Sequence, residues 1–438
     1  MQSIAGIALL GCGTVGGGLA DRLLHERDAI QRRSGVRYDL RGIAVRDPHK
    51  DRGLRIPADL FTRDAVALLE DPNVDIVVEC IGGTDVAAEL VERALERGRH
   101  VVTANKDLLA TQGPRLRALA ASRGASLRYE AAVAGAVPVV RALDESLAGE
   151  RIGSISGIVN GTCNAILSAI EGGQSYIAAL AEAQRLGYAE ADPSSDVRGT
   201  DAAHKLAILV QLAFGIAVIS PRIRRTGIES VSAQDVATAG RLGYKVKLIA
   251  AASRTADGCR AEVAPVWVHG DHPFARISGA TNAVRVDADD AGELFFSGQG
   301  AGRDPSASAV LGDVVATLRM VGERHDVRAR ARSVAALEPA IDVAPVYDNF
   351  ERVARFDNLF DAIAAERALR RLGVVGHGAT LAGTPVVRYR PDARYTERDL
   401  LDTLTQAGLV PASVYPIWND RSLAAPATPA SLVLALPG

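Results

Sequence analysis

The sequence predicts an α/β fold in three units, and three observations carry the prediction. An apolar run, Ile4–Leu10, leads straight into Gly11-Cys12-Gly13-Thr14-Val15-Gly16 and then an amphipathic helix. From there to about Val140, strand and helix signals alternate, the pattern of a parallel sheet covered by helices. The stretch 338–438 reads strand, helix, strand, strand, helix, strand. With 438 residues, 48% of them hydrophobic, the chain allows two or three domains with sizeable cores.

The first motif is Gly-x-Gly-x-x-Gly with a strand before it and a helix after it, the dinucleotide-binding (Rossmann) fingerprint in its proper context. Gly11 permits the tight turn, Gly13 lets a pyrophosphate approach the backbone, and Gly16 lets helix and strand pack closely. Free N–H groups around Thr14 and Val15 then face the phosphates. The next strand, Asp39–Val45, ends in Arg46-Asp47-Pro48-His49-Lys50. Arg46 and Lys50 at this strand end suit a 2′-phosphate and argue for NADP, while Asp47 leaves room for NAD. A third strand, Val74–Cys80, ends in Ile81-Gly82-Gly83-Thr84, and helix Val86–Arg97 follows. The short strand after it runs His100-Val101-Val102-Thr103-Ala104-Asn105-Lys106. Ligands of open α/β sheets sit at the carboxyl ends of strands, so Gly83, Thr103, Asn105 and Lys106 are expected on the nicotinamide side.

The densest chemistry lies between Gly187 and Lys205. The run GYAEADPSSDVRGTDAAHK holds Glu190, Asp192, Asp196, Asp201 and Lys205, directly before the apolar run LAILVQLAFGIAVI. Turn residues fold these carboxylates toward the start of a buried helix. Asp201 and Lys205, four apart, share one face of its first turn. A helix-surface salt bridge is the plain account of such a pair. The surrounding acids point further, because a lysine held among carboxylates keeps its proton and can direct it at one reacting atom.

Together these pieces resemble homoserine dehydrogenase. The matching stretches are GCGTVG, VVTANKDLLA, YEAAVAGAVPVV, IVNGTCNAIL, AQRLGYAEADPSSDVRGTDAAHKLAIL and GQGAGRDPSASAVLGDV, which cover residues 1 to about 320. The resemblance implies reduction of L-aspartate 4-semialdehyde to L-homoserine with NADPH or NADH, a step in threonine, methionine and isoleucine biosynthesis. It implies Lys205 as proton donor, Asp201 and Asp196 as its partners, and Glu190 as the contact to the substrate amino group. Lys106 is implied beside the nicotinamide and the substrate, and Gly300 and Gly302 against the cofactor. The turn Asn160-Gly161-Thr162 opens a helix and offers N–H groups and a hydroxyl to the substrate carboxylate. The resemblance also implies a monovalent cation, sodium or potassium, at Glu130, Val133, Gly135 and Val137. One carboxylate with several backbone carbonyls is an all-oxygen site that suits a hard ion of low charge. The sequence departs from the family at His204, where arginine is usual, and at Cys163, where a larger residue is common.

The resemblance places the dinucleotide-binding domain at 1–140, completed by about 303–320, and a catalytic and dimerisation domain at 141–302. Within the latter, strands are expected at Ile152–Val159, Cys259–Val268 and Gly292–Ser297. Arg241–Ala250 reads as a helix carrying Lys245 and Lys247, and Ser306–Met320 as a helix returning to the first domain. Residues 321–337 read as a linker. The tail is expected as strand 343–356, helix 359–372, strands 374–380 and 386–389, helix 396–407 and strand 413–418. That is the order of the small ligand-sensing ACT domain, without the usual glycine at Arg355-Phe356-Asp357-Asn358-Leu359-Phe360. A sensing tail and a purely structural or dimerising tail both fit.

Composition narrows the partners. A net charge of −2 gives no basic field for nucleic acid or acidic membranes. The longest apolar run, Leu206–Ile219, is broken by Gln211 and is too short to span a bilayer. No secretory leader is read at the N-terminus. Four scattered cysteines without C-x-x-C spacing fit reduced thiols in the cytoplasm. A homodimer or homotetramer is expected. Two other functions stand beside the leading one: a phosphorylating aldehyde dehydrogenase with Cys163 as nucleophile, its thiol near a helix start, and a non-catalytic NADP-binding regulator.

Overall fold

The structure is a computed structural model that describes residues 4–326, 343–344, 346–347, 350–374, 380–381, 384–392 and 394–418. Its first sheet has six parallel strands: β1 (Ala5–Leu10), β2 (Tyr38–Ala44), β3 (Phe61–Thr62), β4 (Ile76–Glu79), β5 (His100–Thr103) and β6 (Leu127–Arg128). The strand order is β3-β2-β1-β4-β5-β6. Chain direction across the sheet reverses between β1 and β4, which opens a crevice at their carboxyl ends. Every residue of β1 and β4 is buried, as expected for parallel strands covered on both faces. The covering helices are α1 (Thr14–His25), α2 (Arg27–Ser34), α3 (Ala65–Glu70), α4 (Val86–Glu96) and α5 (Lys106–Ser122).

After a short turn of helix, α6 (Val139–Arg141), the chain enters a mixed sheet built from β7 (Ile152–Ile158), β8 (Arg224–Arg225), β9 (Tyr244–Thr255), β10 (Gly258–His269), β11 (Thr281–Ala288), β12 (Gly292–Gln299) and β13 (Val343–Ala344). The path runs β12-β11-β7-β9-β10-β13, with β8 also on β10. One face packs on α7 (Gly161–Glu171), α8 (Tyr176–Arg185), α9 (Ser194–Val197), α10 (Thr200–Phe214) and α11 (Ala233–Arg241). The long α12 (Arg303–Asp326) packs Val310, Val314 and Leu318 into the core of the first sheet. It is the helix expected to return there, but it extends six residues into the stretch read as a linker. The rest of that stretch lies outside the described residues.

The expected helix at Arg241–Ala250 is a strand. α11 ends at Arg241, Gly243 turns with φ +81, and β9 begins at Tyr244. β9 lies between β7 and β10 and is buried along most of its length, so its apolar run shows neither a helical nor an alternating period.

The tail holds β14 (Arg352–Arg355), α13 (Leu359–Arg371), β15 (Thr380–Leu381), β16 (Thr384–Tyr389), α14 (Glu397–Gln406) and β17 (Ser413–Pro416), in an antiparallel sheet ordered β15-β16-β14-β17. The strand read at 343–356 is broken. Val346, Tyr347 and Phe350 leave the ladder to cover the second face of the mixed sheet with Trp418, and the Tyr347 hydroxyl donates to Ile249 O (2.8 Å). Residues 375–379 of the strand read at 374–380 lie outside the described residues. Asp235, at the head of α11, fastens the tail: it accepts from Arg355 Nε (2.7 Å), Ser413 Oγ (2.5 Å) and Tyr415 Oη (2.9 Å). No described helix is long and apolar enough to cross a membrane.

Candidate active site

The glycine loop has the geometry a dinucleotide requires. Gly11 sits at φ +92, a conformation other residues rarely adopt. A Cβ on Gly16 would lie 2.2 Å from Gly11 O, whereas one on Gly13 would meet nothing within 4 Å. The loop is therefore packed tight behind and open in front, where the N-terminus of α1 starts at Thr14 and Val15. These residues fit a pyrophosphate. Beyond β2, Arg46 and Lys50 are exposed. Arg52, which sequence reading passed over, clamps the turn between them: its guanidinium donates to Asp47 O and Lys50 O (both 2.7 Å) and stacks over Phe61, 4.7 Å from the ring centre.

At the neighbouring strand ends, Glu79 is fully buried and accepts from Ile81 N (2.7 Å), Gly82 N (2.9 Å) and Thr103 Oγ1 (2.5 Å). Asn105 donates from its backbone to Thr103 Oγ1 (3.0 Å) and from Nδ2 to Gly83 O (2.7 Å), and its Oδ1 caps α5 at Leu108 N (3.1 Å). Gly83, Thr103 and Asn105 are thus gathered at one edge, with Lys106 as the first residue of α5. Glu79 is the hub that sequence reading missed. A lone acid closing the apolar run Ile-Val-Val was its only signal.

The charged run folds as a cluster at the head of α10. Lys205 Nζ donates to Asp201 Oδ2 and to Val159 O, both at 2.8 Å. Lys106 Nζ stands 3.4 Å from Asp201 Oδ1. Asn160 Nδ2 donates to Asp196 Oδ1 and Asp201 Oδ2 (both 2.7 Å), and its Oδ1 caps α7 at Cys163 N (2.8 Å). One asparagine therefore ties α7, α9 and α10 together. Burial works to raise Asp201, yet the Lys205 and Lys106 ammonium groups and the hydrogen bonds to it pull it down to about 2. Asp196 has less compensation, and burial pushes it above the usual carboxylate range. Lys106 is held above its usual range: burial opposes the charge, but Asp201 and Asp107 outweigh it. His204 Nδ1 pairs with Asp107 Oδ1 (2.7 Å) and joins α10 to α5 beside this cluster.

Other expected contacts are arranged differently. Glu190 is exposed, and among the described residues no hydrogen bond or ion pair joins its side chain to the cluster. Thr162 Oγ1 already donates to Tyr188 O (2.6 Å). Gly161 is pressed against the chain, with a would-be Cβ 2.7 Å from Ala280 O. Cys163 is buried. Its thiol donates to Asp196 O (3.2 Å), and burial pushes it well above the usual range, with Asp196 and Asp201 adding to the shift, against any activation by the helix start.

Gly300 and Gly302 follow β12, and the loop meets the turn at 133–137: Ala136 N donates to Gln299 O (3.0 Å). In that turn Ala134 and Gly135 are both left-handed, at φ 55 and 60. Glu130 is buried, and its two carboxylate oxygens accept from Val140 N and Arg141 N (both 2.9 Å). Its backbone N–H donates to Asp313 Oδ2 (2.7 Å) on α12, an acid that burial raises to about 7. Among the described residues, no group of three or more His, Cys, Asp or Glu side chains could hold a metal.

Comparison with known proteins agrees with this geometry. Residues 11–130 match the family model described as "Homoserine dehydrogenase, NAD binding domain", and residues 138–315 match "Homoserine dehydrogenase". A homoserine dehydrogenase of Mycobacterium tuberculosis is 41% identical over 419 residues, 91% of this chain and 94% of that protein. The crystal structure of a homoserine dehydrogenase from Thiobacillus denitrificans superposes with a TM-score of 0.83 at 34% identity, covering 96% of this chain and all of that one. A hyperthermophilic archaeal homoserine dehydrogenase solved in complex with NADPH has a TM-score of 0.60 at 28% identity, over 72% of this chain and 98% of that one. Identity above 40% across nine-tenths of the length, on a fold that carries both a glycine-rich strand–helix loop and a lysine–aspartate cluster, settles the assignment: the chain belongs to the homoserine dehydrogenase family and is an NAD(P)-dependent oxidoreductase.

Proposed function

We propose that the enzyme interconverts L-aspartate 4-semialdehyde and L-homoserine with NADP as the preferred cofactor and Lys205 as the proton donor. The observation that carries this reading is the buried Asp201 carboxylate between the Lys205 and Lys106 ammonium groups. Asp201 is held ionised by the two ammonium groups beside it, and it fixes the Lys205 ammonium at 2.8 Å, aimed for transfer to the substrate oxygen. Bound NADPH supplies the hydride. In the reducing direction, Lys205 Nζ stabilises the charge that develops on the aldehyde oxygen and then protonates it. In the oxidising direction the same amine receives the hydroxyl proton. Lys106 adds a second positive charge on the nicotinamide side. The α-amino group of the substrate is assigned to the carboxylates of Glu190, exposed in the turn before α9, and Asp196. Its carboxylate is assigned to the head of α7 at Gly161 and Thr162.

Arg46 and Lys50 support the NADP preference, since charge-assisted hydrogen bonds to a phosphate are worth roughly 1.5–3 kcal/mol each. A sodium or potassium ion is assigned to the turn formed by Glu130, Val133, Gly135 and Val137. Two consecutive left-handed residues there, one of them an alanine, are a strained conformation that a bound ion would offset. Among the described residues no strand pairs with the outer edge of β12, which carries Leu294 and Phe296, and this edge supports assembly as a homodimer. Four free cysteines support a reducing, cytoplasmic setting. The test is homoserine oxidation assayed with each cofactor. Turnover with NADP at lower Michaelis constant than with NAD is expected, and no turnover with either would refute the reading.

A further inference from the structure

We propose that Asn282 is a positioning residue that ties the glycine loop after β12 to the Lys205 ammonium through the Val159 carbonyl. The inference rests on the reading of Lys205 as proton donor. Asn282 lies on β11 and is 1% exposed. Its Nδ2 donates to Val159 O (3.1 Å), and Lys205 Nζ donates to the same oxygen (2.8 Å). A carbonyl oxygen has two lone pairs, so these two donors fill it and fix the direction from which each arrives. A second N–H of Lys205 is fixed by Asp201 Oδ2 (2.8 Å). An ammonium is tetrahedral, so with two N–H bonds held, the direction of the third is set as well. That third N–H is the one a substrate oxygen would use.

The other face of the Asn282 amide meets the loop. A Cβ on Gly300 would lie 2.1 Å from Asn282 Cγ and 2.2 Å from its Oδ1, so the loop backbone rests directly on the amide. Gly300 is itself wedged from behind, since a Cβ on Gly135 would lie 2.4 Å from its carbonyl oxygen. A displacement of the loop therefore meets Asn282 on its way to Val159 and Lys205. The amide is also not what packing alone selects. Among the described residues its Oδ1 is buried without a hydrogen-bond partner, an unfavourable state for a polar atom that an apolar side chain would avoid. The donor on Nδ2 is what an amide adds at this position.

Two variants of the full-length enzyme test this, each read by kcat, the Michaelis constant for homoserine, the NADP dissociation constant from fluorescence titration, melting temperature, and the pH profile of kcat. Asn282→Ala removes the donor. It is expected to lower kcat roughly 10- to 100-fold, as misdirected reacting groups do, while NADP affinity stays within about twofold of the parent, a change of under 0.5 kcal/mol. Asn282→Asp keeps the shape but sets a carboxylate beside Val159 O and near Lys205. It is expected to move the ascending limb of the oxidation profile up by about one pH unit, because a nearby anion favours the protonated amine. A purely structural role would shift the melting temperature and leave that limb in place. Parent-like kcat and pH limb in both variants would overturn the inference, as would a kcat loss that merely follows lost NADP affinity. A parent enzyme inactive on homoserine would defeat the functional reading instead, and the two failures are told apart by assaying the parent alone.

Discussion

The glycine loop at the head of α1 and the charged cluster at the head of α10 both stand at helix starts, and under the proposed function they work by opposite means. The loop acts through its backbone: what matters at Gly11, Gly13 and Gly16 is the absence of a side chain. The cluster acts through side chains held at fixed distances by one another. Errors in the loop should therefore weaken cofactor binding, and errors in the cluster should slow turnover with binding intact.

The largest effect is expected from Asp201→Asn. It removes the counter-ion of both Lys205 and Lys106, and kcat should fall by about 100-fold or more. NADP affinity should stay near the parent value, and a loss of affinity as large as the loss of rate would erase the contrast. Asp201 also gives the cluster its acid limit. Its folded value near 2 lies below the unfolded carboxylate value near 3.9. The stability it contributes is therefore present above about pH 4 and lost as pH falls toward 2. Melting temperatures of parent and Asp201→Asn enzyme should converge across that window.

Gly16→Ala tests the loop. Its Cβ would strike Gly11 O, so NADP should bind at least tenfold more weakly, with kcat at saturating cofactor reduced much less. A variant slow at saturation yet tight for NADP would put Gly16 in the wrong half of the comparison. Arg46→Ala refines the same half. It should narrow the preference for NADP over NAD about tenfold, the size of one charge-assisted contact, and leave NAD kinetics unchanged. The smallest effect on turnover is expected far from both regions. Arg355→Ala leaves Asp235 without its buried cation and should cost about 3 kcal/mol of stability, seen in urea unfolding. The homoserine kcat should stay within about twofold.

The sequence discloses both regions where their meaning is local and not where it depends on contacts distant in the chain. The loop was legible because its meaning is local: strand, glycine spacing and helix are adjacent in the chain. Asp201 and Lys205 were legible for the same reason, being one helical turn apart. Asn160, Glu79, Asp313 and Asn282 act across distance in the chain. Glu79 bonds Thr103, Glu130 N–H bonds Asp313, and Asn282 reaches Val159, and no spacing rule announces those contacts. Glu190 shows the opposite case, conspicuous in the sequence yet exposed in the fold. β9 was misread because a strand buried between two others carries no period. The tail was legible as an order of elements, but the break after β13 was not, because Tyr347 and Phe350 answer to the apolar face of a distant sheet.

The central claim is that Lys205, held by Asp201, supplies and receives the proton. The most direct measurement is the steady-state rate of homoserine oxidation by Lys205→Ala at saturating NADP, with the NADP dissociation constant taken on the same preparation. The account predicts a rate lower by two or more orders of magnitude and an unchanged dissociation constant. A Lys205→Ala enzyme that turns over homoserine at a rate near the parent's would contradict it.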